Sequence, residues 1–323
     1  MRVAITADAA VAVAALRAGG LVAIPTETVY GLGASIEHPS AVARVYAVKG
    51  RPADHPLIVH IAATEELDRW CSSVPGYARA LAEAFWPGPM TLVLPRTAAV
   101  GDVVTGGQST VAVRVPDHEL ALAILKGLAT GIAAPSANRF GRVSPTTAQH
   151  VAEELGDLLD PARDLIVDGG PTSVGLESTI VDATGPRPRL LRPGGISAAA
   201  IASVTGLDFA TAASPVRAPG TLAAHYAPAA RVRILAGAGP AEPTDRDPAV
   251  GLIAPSWAAT PIGVVRLLAP ATETEYAAGL YAALREADAM ALQEVRVVLP
   301  EGEGIAAAIR DRVARAEAGS RRP

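Results

Sequence analysis

TVAVRVPDHELALAILKGLATGIAAP, residues 110–135, reads as strand, helix and strand. In TVAVRV the side chains alternate: Val111, Val113 and Val115 point one way, and Thr110, Ala112 and Arg114 the other. The pattern turns helical over 117–127, and GIAAP (131–135) returns to a short apolar run. The same alternation extends outward on both sides. LVAIP (21–25), PLIVHI (56–61), MTLVL (90–94), LIVD (165–168), STIVD (178–182) and RLLR (189–192) read as strands, with helices over 8–18, 39–48, 75–86, 145–155 and 197–205. Strands alternating with helices make an α/β domain. Ser144 stands where an N-cap belongs, with Pro145 at the first helical position and Gly156 as the stop.

After Gly206 the texture changes. Residues 209–230, FATAASPVRAPGTLAAHYAPAA, carry prolines and no clear period, which marks a linker. Beyond it RVRIL, VGLIAP, IGVVRL and VRVVL read as strands, and a helix from Glu273 to Met290 sets Tyr276, Leu280, Leu284 and Ala287 on one face. A last helix spans 304–318. The expected organisation is a domain over 1–205, a Pro-rich linker or lid over 206–229, and a second α/β domain over 230–323. A length of 323 residues favours two domains.

Composition narrows the function. Half the chain is hydrophobic and 19% is charged, which excludes a disordered or fibrous protein. The net charge of −4 gives no broad footprint for nucleic acid or an anionic membrane, so any polyanion must be met locally. One cysteine, Cys71, cannot form an internal disulfide or furnish a zinc finger. The start, MRVAITADAAVAVAALRAGG, faintly resembles a signal peptide, but Asp8 and Arg17 interrupt it. With no apolar stretch suited to crossing a membrane, a cytoplasmic protein is expected. Of the 28 basic residues only Lys49 and Lys126 are lysines.

No P-loop, GxGxxG or GxSxG pattern stands between a strand and a helix. Four segments are polar where their flanking strands are apolar: PTETVYGLGA (25–34), KGRPADHPLIVHI (49–61), STVAVRVP (109–116) and APSANRFGRVSPTT (134–147). Polar loops at strand ends are where α/β proteins bind ligands. Thr110 and Arg114 share a strand face ~13 Å apart, a span suited to a small substrate beside a phosphate chain, or else the wet side of an edge strand. Lys49 ends a helix that Gly50 stops, and Arg51 precedes Pro52, so a point charge and a planar fork leave one turn. They suit a triphosphate or a carboxylate, and read equally as two solvated cations at a helix C-terminus. Ser136, Asn138 and Ser144 precede a helix N-terminus, an anion site or a capped turn. His60 reads as a core histidine, Cys71 as buried filler, and His225-Tyr226 as an odd pair for a bare spacer.

Nine motifs in order, PTETVYGLGA, KGRPADHPLIVHI, FWPGPMTLVLP, TVAVRVP, APSAN, SPT, GLESTIVD, LLRPG and HYAP, closely resemble the L-threonylcarbamoyladenylate synthase family in its long form. The match runs from about residue 8 to the end and is weaker in the tail, where LYAALREADA and AAAIRDRVARA look like the second domain. The resemblance implies a YrdC-like twisted mixed sheet with flanking helices, followed by a smaller Rossmann-like α/β domain. It also implies a reaction: L-threonine, bicarbonate or carbon dioxide, and ATP, with Mg²⁺ on its phosphates, give threonylcarbamoyl-AMP and pyrophosphate. That product feeds the N6-threonylcarbamoyl modification of tRNA adenosine, so tRNA and the transferase machinery are downstream partners.

By the same resemblance, Lys49, Arg51, Ser136 and Asn138 form the centre of the active site. ATP contacts fall to Arg51, His55, Thr110, Ser136, Ser144, Arg192 and Tyr226. L-threonine contacts fall to Thr28, His60, Arg114, the backbone at Ala134, and Ser178. The linker becomes a lid, although APGTLAAHYAP lacks the aromatic and basic residues that many members carry just before HYAP, at Thr221 to Ala224 here. Two rivals stand beside this reading. A YrdC-like module that binds RNA without catalysis needs a basic concave face. A carbamoyl-transfer role in hydrogenase maturation needs zinc fingers, which one cysteine does not provide.

Overall fold

The computed structural model describes residues 3–211, 214, 216–220, 224–235 and 249–321. Its larger sheet contains β1 (Ala4–Thr6), β2 (Val22–Ile24), β3 (Gly31–Ser35), β4 (Ile58–His60), β5 (Met90–Pro95), β6 (Thr110–Arg114), β7 (Ile132–Ala133), β8 (Leu165–Val167), β9 (Thr179–Asp182) and β10 (Arg189–Arg192). The order is β1-β8-β2-β3-β7-β4-β6-β5-β9-β10, with parallel and antiparallel neighbours mixed. Helices cover its faces, so strands such as β2, β4 and β9 are buried throughout and read as continuous apolar runs. The Ala198–Thr205 helix belongs to this unit, because Ile201 packs into its core.

β6 lies between β4 and β5, which removes the edge-strand reading of STVAVRVP. Val111 and Val113 enter the main core, while Ala112 on the opposite face packs with Ile58, Ile180 and the linker's Ala218. Gly31–Ser35 pairs as a strand although GLGAS looks like a loop. A side chain at Gly33 would stand 2.7 Å from Ile132, so glycine is what lets β3 approach β7. The helix expected from 145 starts later. Ala148–Leu155 is capped by Thr147, whose side chain accepts from the His150 amide, and Ser144 serves elsewhere.

The second sheet, β11 (Arg231–Ile234), β12 (Val250–Ile253), β13 (Val265–Leu268) and β14 (Glu294–Val297), is all parallel in the order β11-β14-β12-β13. Helices Glu273–Ala289 and Ile305–Ser320 pack on it, burying Tyr276, Leu280, Leu284 and Ala287 on the expected face. Its apolar core also takes in Val29, Val143 and Leu176 from the first unit and Tyr226 from the connection. The two sheets therefore share one continuous apolar contact.

Candidate active site

One cavity lies between residues of β4, β6 and β10, with the turn that precedes β9, and the segment that leads to the second sheet. Its wall includes Thr28, Arg51, His60, Arg114, Ala134, Ser136, Ser178, Arg192 and Tyr226, nine of the fourteen residues singled out in the sequence. The register explains the grouping: His60 pairs with Arg114 across β4 and β6, and the Ala134 amide donates to the Ile58 carbonyl at 2.9 Å. Residues 50 and more positions apart thus meet at neighbouring strand ends.

Three guanidinium groups set the electrostatics. Arg51 donates through Nε and Nη2 to the carbonyls of His55 (3.3 Å) and Pro56 (2.9 Å), and burial pulls its pKa down to about 10. Arg114 donates to Thr28 Oγ1 at 2.9 Å and to the Gly88 carbonyl at 3.2 Å. Its Nη2 stands 2.6 Å from Glu27 Oε2, but too obliquely for a hydrogen bond, so that pair acts through charge alone. Arg192 donates to the carbonyl and hydroxyl of Ser178 and to the Pro219 carbonyl, and burial lowers its pKa as well. All three are under 10% exposed. Such desolvated cations bind an anion far more strongly than solvated ones. Burial, reinforced by Arg114, depresses His60 to about 3, which keeps its ring neutral.

His55 lies in an adjoining hollow with Phe140, Arg217 and Gly220, which shares Arg51 and His225 with the main cavity. Four expected site residues are placed differently. Lys49 is buried off the wall, donating Nζ to the carbonyls of Ser136 (2.5 Å) and Asn138, with its pKa pushed well down by burial and by Arg51. It is neither a solvated cation nor a mobile one. Asn138 turns its amide to the carbonyls of Arg139 and Arg142. Together they brace the loop that presents Ser136. Ser144 donates to Glu177 Oε1 at 2.7 Å and is fully buried. Thr110 sits at the far end of β6, outside both hollows.

Glu177, Gly220 and His225 also line the wall, and sequence reasoning assigned none of them a place there. Glu177 is buried, which raises a carboxyl pKa, yet Arg312, Arg192 and the Ser144 hydroxyl overcome this and hold it at about 2. Its only signal in the sequence was an acidic residue within the apolar GLESTIVD. Gly220 has φ +73°, and a Cβ there would collide with Tyr226 Oη and come within 2.8 Å of Arg192 Nη1. His225 packs edge-on to Tyr226, at 4.1 Å between ring centroids. Of the expected lid residues, Thr221, Leu222 and Ala223 lie outside the described residues.

A larger hollow opens in the second unit at the carboxyl ends of β11, β12 and β14, around Trp257, Thr272 and Tyr276. Among the described residues its one guanidinium, Arg310, is spent on the carbonyls of Pro300 and Gly302, and Glu273 and Glu301 give it an acidic rim. It is the poorer host for phosphate. Among the described residues no helix is long and apolar enough to cross a membrane, and no group of three or more metal-ligating side chains occurs.

A family model named Sua5/yciO/yrdC and described as telomere recombination matches residues 14–194. A second, described as threonylcarbamoyl-AMP synthase, C-terminal domain, matches 196–318. The chain is 47% identical over 228 residues to threonylcarbamoyl-AMP synthase of Pyrococcus abyssi, and 46% over 233 residues to that of Bacillus subtilis. These alignments cover 69% and 70% of this chain and 66% of each relative's length. The crystal structure of P. abyssi Sua5 complexed with L-threonine superposes with a TM-score of 0.87 at 37% identity, covering 98% of both chains. The chain belongs to the Sua5/YciO/YrdC family, in the form that carries a threonylcarbamoyl-AMP synthase C-terminal domain.

Proposed function

We propose that this protein is an L-threonylcarbamoyladenylate synthase. It joins L-threonine, bicarbonate or carbon dioxide, and ATP into threonylcarbamoyl-AMP, releasing pyrophosphate and, from bicarbonate, water. The observation that carries this reading is the convergence of Arg51, Arg114 and Arg192, all buried, on one cavity with the hydroxyls of Thr28, Ser136 and Ser178. The cavity has two ends. Arg114, Thr28, His60, Ala134 and Ser178 form a small pocket for the amino acid, with Arg114 for its carboxylate. Arg51, Ser136, Arg192 and Tyr226, with His55 in the adjoining hollow, face the nucleotide. Lys49, Asn138 and Ser144 act on it through the loops they hold.

In the reaction the threonine amine adds to the one-carbon unit, expelling water from bicarbonate or releasing a proton with carbon dioxide, and a carbamate oxygen then attacks the α-phosphorus. The bond to the leaving pyrophosphate breaks. No covalent enzyme intermediate is needed, so catalysis rests on positioning and on neutralising charge. A neutral His60 adds no positive charge beside the reacting amine. Among the described residues the cavity's one lining carboxylate, Glu177, has both oxygens engaged, so these side chains do not make a Mg²⁺ site. Mg²⁺ is proposed only as the ion that ATP brings on its phosphates. The labile product is proposed to pass to a downstream transferase in the cytoplasm, with tRNA meeting that machinery.

The test is pyrophosphate release from ATP with L-threonine and bicarbonate, each omitted in turn. Release should require all three. ATP hydrolysis indifferent to threonine, or salt-dependent tRNA binding without turnover, would overturn the reading. The RNA-binding alternative is disfavoured by the burial of the three arginines, which a phosphodiester backbone on the surface does not reach.

A further inference from the structure

Among the described residues none beyond Tyr226 lines the cavity, yet two of its wall residues are held from the second unit. Glu177 Oε2 accepts from Tyr281 Oη at 2.9 Å and from Arg312 Nε at 2.7 Å. The Arg312 guanidinium stands 5.3 Å from the centre of the Tyr226 ring, and that ring stacks on Tyr281 at 5.6 Å with 28° between planes. Glu177, Arg312, Tyr226 and Tyr281 thus close a cycle, two members from the cavity wall and two from helices Glu273–Ala289 and Ile305–Ser320.

Each link has a physical reason to matter. Tyr226 has φ +60°, a left-handed backbone that a side-chain-bearing residue keeps only when its surroundings insist. A stacked ring on one contact and a guanidinium on another supply that insistence. Glu177 is a buried carboxylate, and such a charge is tolerable only when paired and fully hydrogen-bonded. Arg312 is itself fully buried and also donates to Asp311 and to the Pro193 carbonyl, so its own charge is met.

We propose that Arg312 and Tyr281 are positioning residues: from the second unit they fix Glu177 and Tyr226 in the cavity wall, so that this unit completes the nucleotide end of the site. The proposal rests on the synthase reading above. The groups that face Glu177 are Ser144, Arg192, His225, Tyr226, Tyr281 and Arg312, with Asp311 behind. Removing Arg312 leaves a buried carboxylate whose remaining cation is Arg192, so its proton affinity climbs.

The experiment compares the full-length wild type with Arg312→Met, Tyr281→Phe and the double variant Glu177→Gln/Arg312→Met. KM for ATP should rise about tenfold in Arg312→Met while KM for L-threonine moves less than about twofold. Arg312→Met should also acquire an acid limb in kcat/KM for ATP above about pH 6 that the double variant lacks. Unchanged constants with a flat profile, or kcat and both KM values altered together, overturn the proposal. If Arg312→Met does not fold, the double variant, free of the unpaired charge, decides: a raised KM for ATP supports it and a wild-type value overturns it. Should the wild type lack threonine-dependent turnover, the synthase reading falls separately. Calorimetric ATP affinity in the same variants then decides the proposal, weaker binding in Arg312→Met supporting it and equal binding overturning it.

Discussion

Arg51 is fixed before any substrate arrives, because the carbonyls of His55 and Pro56 in its own loop hold its planar head. A lysine has no fork with which to keep that orientation. Arg51→Ala is expected to lower threonine-dependent pyrophosphate release about a hundredfold or more, the scale for losing one transition-state donor, and Arg51→Lys to recover little of it. Near-normal release by the alanine variant would count against the assignment. The buried histidines make a second prediction at this scale. Burial holds His60 and His225 neutral down to about pH 3, whereas an unfolded histidine takes up its proton near ~6.5. Between those values the unfolded chain binds more protons, so stability rises with pH and is lost as pH falls from ~6.5 towards 3. Glu177, held at about 2, adds loss of the same sign below its ordinary value. At pH 5 each of these two accounts for about 2 kcal/mol, and burial lowers His55 and His150 in the same direction, so His225→Gln should remove less than half of the histidine-dependent fall in urea midpoint between pH 7.5 and pH 5. A wild-type midpoint that does not move over that range would refute the assignment of neutral histidines.

Among the elements, the connection over the cavity is the most exacting. At Gly220 an added methyl meets both a left-handed φ and the Tyr226 and Arg192 side chains, so Gly220→Ala should push the connection off the wall. Turnover is expected to fall about tenfold with a raised KM for ATP, and the thermal midpoint to drop as well, since Ala218 and Tyr226 of the same connection pack into apolar cores. Wild-type kinetics in this variant would show that the approach of Tyr226 to Gly220 is dispensable. Strands and long helices were legible because their signal is local: Val111, Val113 and Val115 alternate, and Tyr276, Leu280, Leu284 and Ala287 recur at helical spacing. β3 was not, because the glycines that let it approach β7 look like a loop until β7 is beside it. Ser144 was misread as a cap because its partner, Glu177, lies 33 residues on. Lys49 was legible as a helix end closed by Gly50, but not as a brace whose acceptors lie 87 and 89 residues away. Nine of the fourteen residues that the motifs single out line the cavity; which of them face it and which hold the loops depends on contacts that no local pattern encodes.

For the molecule as a whole, the two units are joined as one packed body rather than tethered. Gly175 sits so close to the Glu273–Ala289 helix that an added Cβ would be 2.5 Å from the Ala278 Cα. Arg285 donates to the Val143 carbonyl at 2.5 Å and pairs with Glu154 at 3.1 Å. A chain ending at about Gly206 retains the apolar cores of the large sheet but loses the cover over Val29, Val143 and Leu176, about 1.5–3 kcal/mol of burial for each. It also leaves Glu177 without Tyr281 and Arg312. The truncated chain should therefore fold, bind an apolar dye that the full chain does not, and lose threonine-dependent turnover by about a hundredfold or more. Extending it to residue 230 restores Tyr226 but not the groups that hold it, so activity should stay low. Full activity in the shorter chain would refute a lid, and full activity in the longer one would refute a second unit that works through Arg312.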